Sequence, residues 1–224
     1  MNVKYKLTSI ILFSCILSGC ATVGTEVSHH QLETQTLMSS SMFVDPEMVN
    51  QPSTVFLMLT NTTDHPDFYI SKKLKDKIRS KGYQIVTNLS KASYILQVNI
   101  LQVGMSSETA AKEMMGSGYG GSLEGLASGG ALAYVAGAAM PGVVVGGIVG
   151  GVAASALDNY VKDVNYSVIS DAKLTQVMPT GKPIVTRTRI LSTANKVNLD
   201  FNEAMPVLED ELSSSISGLF IQKN

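Results

Sequence analysis

TVFLMLTNTTDHPDFYISKKLKDKIRSKGYQIVTNLSKASYILQVNILQV, residues 54–103, is the stretch from which the fold can be read. Its first seven residues, Thr54 to Thr60, are a β-rich apolar run closed by the polar cluster Asn61 to Pro66, which predicts a strand and then a turn. From Phe68 to Lys81, Ile70, Leu74 and Ile78 recur at fourfold spacing between lysines, and Gly82 stands where a helix C-cap belongs. That pattern predicts an amphipathic helix. Tyr83–Thr87 and Ala92–Val103 predict two further strands, the second with Tyr94, Leu96, Val98, Ile100 and Gln102 on one face. The order βαββ describes a small mixed α/β sandwich.

Working outward, Leu32–Val44 alternates loosely and predicts an extended strand stopped by Asp45-Pro46, while Ala21–Val27 is small and polar and suits a tether. Downstream, Asn165–Thr175 alternates imperfectly, and Ile184–Leu199 predicts a long strand or a pair. Phe201–Phe220 sets Ala204, Leu208, Leu212, Ile216 and Leu219 or Phe220 on one helical face, with Pro206 in the first turns, where a missing N–H costs least. The expected class is α+β: a small mixed α/β sandwich interrupted by a Gly/Ala-rich hydrophobic helical hairpin. The expected divisions are a signal peptide at 1–19, a lipidated tether at 20–30, the first part of the α/β domain at 31–115, the hairpin at 116–160, and the second part with its C-terminal helix at 161–224.

The interruption differs in kind from its surroundings. Of the 19 glycines, 13 lie between Gly116 and Gly151, and no charged residue occurs from Gly125 to Leu157. One helix of that length would extend about 50 Å, well beyond a bilayer core of about 30 Å. Pro141-Gly142 divides the run into two halves, each about 24 Å if helical, which predicts a hairpin. Gly121, Gly125, Gly129, Ala133 and Gly137 in the first half, and Gly142, Gly146, Gly150 and Ala154 in the second, keep a fourfold spacing. Such stripes let another backbone approach closely in lipid, where packing must supply the attraction between helices. Three readings compete: a membrane-associated hairpin that oligomerises, a hairpin buried in a soluble assembly, and a Gly-rich loop or pair of barrel strands. Run length and absence of charge favour the first, and Ala-rich sequence such as ALAYVAGAAM favours helix over strand.

The N-terminus carries an address. Lys4 and Lys6 precede an apolar stretch from Leu7 to Leu17, which is too short for a transmembrane helix and ends in Leu17-Ser18-Gly19-Cys20. This is the lipobox order: cleavage after Gly19, with the Cys20 thiol receiving diacylglycerol and the new N-terminus an acyl chain. Cys15 leaves with the signal and Cys20 carries lipid, so the mature chain keeps no cysteine for a disulfide. Ala21 is not the aspartate that retains many such proteins in the inner membrane, which favours the outer membrane. Losing Lys4 and Lys6 leaves 15 basic against 18 acidic residues, a net of about −3, so no basic excess points to nucleic acid.

The sequence offers no convincing catalytic or cofactor motif. Gly116-Ser-Gly118-Tyr-Gly120-Gly121 matches GxGxxG by letter, but no strand precedes it and no acidic residue follows at the required distance. His29, His30 and His65 lack the further ligands of a metal site, and read as exposed loop residues. No GxSxG elbow is present. Glu203, Glu209, Asp210 and Glu211 cluster on the last helix, where a favourable helix dipole and solvent account for them. No enzyme and no cofactor other than the covalent lipid are expected.

Several stretches together resemble one family. The lipobox, Thr54-Val-Phe-Leu57 with Asn61-Thr62, Lys81-Gly-Tyr-Gln84, the Gly/Ala segment, Asp163-Val-Asn-Tyr166, Ala194-Asn-Lys-Val-Asn-Leu199, Glu203-Ala204, Pro206-Val-Leu-Glu-Asp210 and Ser215-Ile216 resemble the TraT surface-exclusion and complement-resistance lipoproteins. The resemblance covers nearly the whole mature chain. One departure is the short Val177-Met-Pro-Thr-Gly-Lys-Pro183, where plasmid-borne members carry a longer polar stretch, a difference that bears on partner specificity more than on fold. The resemblance implies a lipid-anchored outer-membrane protein, oligomeric with copies of itself, that acts in surface exclusion during conjugation and in some members in complement resistance. The partners it implies are a donor-cell surface component or complement. A channel-forming lipoprotein of a secretion system and an envelope lipoprotein enzyme stand as alternatives.

Overall fold

Six strands join in one mixed sheet in the computed structural model, which describes residues 31–121 and 163–223. In chain order the elements are β1 (Glu33–Met38), β2 (Thr54–Asn61), α1 (Ser71–Ser80), β3 (Gln84–Val86), β4 (Tyr94–Met105), α2 (Glu108–Gly116), β5 (Asp163–Gln176), β6 (Ile184–Val197) and α3 (Phe201–Ser217). The sheet runs β1-β6-β5-β4-β2-β3, with β2 parallel to both β3 and β4 and every other pairing antiparallel. The βαββ order is therefore present, but β5 and β6 are the longest strands, and β5 lies with β4 at the centre of the sheet rather than being a late addition. Residues 184–197 make one strand and not a pair.

Helices α1 and α3 cover one face. The α1 residues Leu74 and Ile78 and the α3 residues Ala204, Leu208, Leu212 and Ile216 are all fully buried, as the fourfold spacing requires. Each large aliphatic among them contributes about 1.5–3 kcal/mol through loss of contact with water. The two helices are tied by Lys73 to Glu209 at 2.8 Å and Lys77 to Asp210 at 2.9 Å. Glu209 thus faces α1, while Asp210 reaches Lys77 from an exposed position; the pairs step forward together along both helices, which run side by side in the same direction. Gly82 closes α1 at φ +88°, and an added Cβ there would meet the backbone oxygen of Lys223 at 3.1 Å. Lys223 itself donates to the carbonyls of Met48, Val49 and Gln51, clasping the C-terminal strand of chain to the Pro46–Asn50 turn.

Two sequence expectations shift for local reasons. Residues 32–44 form a shorter strand than expected, since β1 stops at Met38 and Asp45 caps a turn of 3-10 helix at Pro46–Asn50. In β4 the register jumps between Ile100 and Gln102, a bulge that reverses the alternation. Val103, 4% exposed, consequently takes the core position expected for Gln102.

The opposite face is covered in its upper half by α2, an element absent from the sequence expectations. Ser107 caps it by accepting from Ala110 N, and Ala111 and Met114 pack on Ile169 of β5 and Leu191 of β6. Helices on both faces explain why β5 alternates poorly: Val168 points to α3 and Ile169 to α2, and both are fully buried. The molecule is a three-layer arrangement over these residues, not a two-layer sandwich. The expected Gly/Ala hairpin lies outside the described residues from 122 onward. Among the described residues no helix is long and apolar enough to cross a membrane.

Candidate functional site

Pairing of β5 with β6 sets Asp171 directly opposite Arg189 on the α2 face. Arg189 is fully buried and grips the carboxylate with two bonds, Nε to Oδ1 at 2.7 Å and Nη2 to Oδ2 at 3.1 Å. Its remaining hydrogens go to the chain that leaves α2. Nη1 donates to Met114 O at 3.3 Å and to Ser117 Oγ, and Nη2 donates to Gly121 O at 2.9 Å. Asp171 Oδ2 in turn accepts from Gly120 N at 2.8 Å. All five guanidinium donors are thus occupied, which is the condition under which a buried cation is tolerated.

The arrangement is a clamp on the last turn of α2. Carbonyls at a helix C-terminus lack internal partners and carry partial negative charge, and a guanidinium answers both. Gly118 at φ +65° and Gly120 at φ +71° turn the chain so that the Gly120 N–H and the Gly121 carbonyl reach the pair. Neither glycine is confined by neighbours, so the requirement is conformational. The GxGxxG letters therefore end a helix, offering the Gly121 carbonyl to the guanidinium and the Gly120 N–H to the carboxylate paired with it. In a dinucleotide site they open a helix and aim its first N–H groups at a phosphate, whereas here they follow the helix's last turn.

Below the clamp no described residue covers the same face. Strand register builds two rows across it, Thr60–Asn99–Asp171–Arg189 and Met58–Gln97–Lys173–Arg187. Together with Tyr119 and Gly120 from the turn, these rows as far as Asp171 and Lys173 line a groove of about 300 Å³, with Arg187 at its margin opposite Lys173. Arg187 lies over the Tyr119 ring, 5.8 Å from its centroid.

Of the residues singled out from sequence, Gly121 is held in the clamp turn and does not lie on a helix; Gly19, Cys20, Gly125, Gly129, Gly137, Gly142, Gly146 and Gly150 lie outside the described residues. His65 is half-buried, not exposed: its ring lies 4.8 Å from that of Phe201, between Asp64 and Asp67. Among the described residues no group of three metal-binding side chains comes together. Sequence reasoning missed Asp171, Arg189 and the groove. Their signal was an arginine, Arg189, abutting the apolar pair Ile190-Leu191 inside a predicted strand, and an acid one hairpin away.

Comparison with known proteins places the chain among relatives. The family of the Enterobacterial TraT complement resistance protein matches residues 31–186 and 180–220. A TraT complement resistance protein of Escherichia coli strain K12 is 33% identical, over 96% of this chain and 98% of that protein. Another from Wigglesworthia glossinidia brevipalpis is 25% identical, with 97% of each chain covered. The solved structure of a DUF4136 family protein from Bacteroides thetaiotaomicron VPI-5482 aligns over 85% of this chain and 98% of its own, at TM-score 0.36 and 11% identity, too low to bear on function.

Proposed function

The chain belongs to the TraT complement resistance family, and on that premise we propose that it is an outer-membrane lipoprotein that hinders DNA entry from donor cells carrying the same element. In this reading the precursor is cut after Gly19 and anchored by lipid on Cys20. The sheet domain stays below the membrane, and the uncharged segment enters the bilayer as a Gly-striped hairpin. Copies pack side by side through Gly125, Gly129, Gly137, Gly142, Gly146 and Gly150 into a ring-like homo-oligomer. The action is a barrier and not catalysis, and complement resistance would follow from the same barrier.

The observation that carries this reading is the chain-long match to the family, joined to an uncharged run from Gly125 to Leu157. The clamp supports it physically. Arg189 holds the chain at Gly121, four residues before that run begins, so the segment leaves the domain from a fixed point.

Plasmid uptake by recipients with and without the gene tests the function directly: uptake should fall when the gene is present, and equal uptake defeats the reading. Replacing Gly125 and Gly146 with leucine should shift the detergent-extracted protein to smaller species on a sizing column. An unchanged elution position would remove the packing claim while leaving exclusion standing.

A further inference from the structure

We infer that the groove beside the clamp binds a sugar unit carrying an acid group, carboxylate or phosphate. The first argument is electrostatic. Lys173 and Arg187 are direct cross-strand partners on one face, and like charges so placed destabilise a sheet. Neither is ion-paired among the described residues; Arg187 has the Tyr119 ring instead. The adjacent acid, Asp171, is already committed to Arg189 and Gly120 N, so it does not neutralise them. A pair of cations held together with no free acid among the described residues is suited to an incoming anion.

The second argument is the balance of donors and acceptors. Asn99 Oδ1 is buried and has no hydrogen-bond partner among the described residues. Gln97, two residues earlier on β4 and in the adjoining row, spends one amide N–H on Met58 Sδ at 3.5 Å, a weak acceptor. An unanswered acceptor beside an underused donor is matched by hydroxyl groups, which both give and take a hydrogen bond. Tyr119, 40% exposed, adds an aromatic edge to the groove. At about 300 Å³ the groove stands at the small end of ligand sites, enough for one ring and its acid substituent. A bare inorganic anion would use the cations and leave Asn99 unanswered; a neutral sugar would do the reverse.

Isothermal titration of the full-length protein in detergent tests the assignment, with glucose 6-phosphate, glucuronate, glucose and inorganic phosphate as probes. At least one acid sugar should bind about tenfold or more tightly than glucose and than inorganic phosphate, and which of the two acids wins separates phosphate from carboxylate. Lys173→Gln with Arg187→Gln should cost that preference, and Asn99→Ala should weaken the acid sugar but not inorganic phosphate. Lys173 is partly exposed and Arg187 exposed, so the double variant should keep the parent's thermal midpoint. Failure of both acid sugars to bind, equal binding of glucose or phosphate, or undiminished binding by the double variant at an unchanged midpoint would each overturn the proposal. None of these outcomes touches exclusion, which is read from plasmid uptake.

Discussion

The two faces of the sheet are held by different physics. Under α1 and α3 the contacts are aliphatic and many, so no single residue decides whether that face closes. Under α2 the apolar contact is confined to Ala111, Met114, Ile169 and Leu191 with a few half-buried neighbours, and the seat is completed by one buried ion pair with five satisfied donors. Dispersed burial is tolerant because its terms are small and numerous, whereas a buried charge is all or nothing. The chain running to the glycine-rich segment leaves from the second kind of face.

The comparison breaks most visibly at Arg189. Arg189→Met leaves Asp171 unpaired beneath α2 and should cost about 3–5 kcal/mol in urea unfolding, with new proteolytic cleavage within residues 117–121. Adding Asp171→Leu should recover most of that loss; a single-variant loss under about 1 kcal/mol would show that the clamp is slack. Leu212→Ala on the other face should cost about 2–5 kcal/mol, at the lower end if the site collapses, without exposing residues 117–121 to protease. If it did expose them, the two faces would not be independent. Gly118→Ala, at φ +65° in open space, should cost about 1–2 kcal/mol, read as a lowered thermal midpoint.

The smallest effect sharpens the aliphatic face. Tyr83 is buried against Tyr94 and Phe220, and its hydroxyl has no partner among the described residues. Burial pushes its pKa well above the ordinary 10.0 and also raises that of Tyr94, so the fold favours the neutral phenols. That contribution is whole below pH 10.0 and falls as unfolded tyrosine ionises above it. Tyr83→Phe should be near neutral at pH of about 7 and should reduce the loss of stability between pH of about 9 and 11, measured by urea midpoints. An unchanged alkaline slope would place the effect in Tyr94 alone.

Much of the first face was legible because each element there declares itself within a few turns. Ile70, Leu74 and Ile78 keep helical spacing without reference to any partner, and so do Ala204, Leu208, Leu212 and Ile216. The second face was not. The buried residues of α2 include two alanines and one methionine, too little apolar contrast over nine residues to stand out against a small-residue background. The β4 bulge shifted the alternation by one place, which no local pattern announces, and so Gln102 was expected where Val103 sits. Lys173 and Arg187 read as ordinary surface charge until register set them side by side.

Sequence by itself determined the elements of the aliphatic face, the contrast of the glycine-rich run with its surroundings, and the family, since each rests on local spacing or on residue identity along the chain. The pairing of Asp171 with Arg189, the use of GxGxxG as a helix stop, and the cation pair at the groove's margin were decided by tertiary structure alone. Eighteen residues separate Asp171 from Arg189, and fifty-one separate it from Gly120. Only the register of two long strands, and a helix laid across them, brings a carboxylate, a guanidinium and a glycine turn within 3 Å or so of one another, because backbone hydrogen bonds fix which side chains share a row.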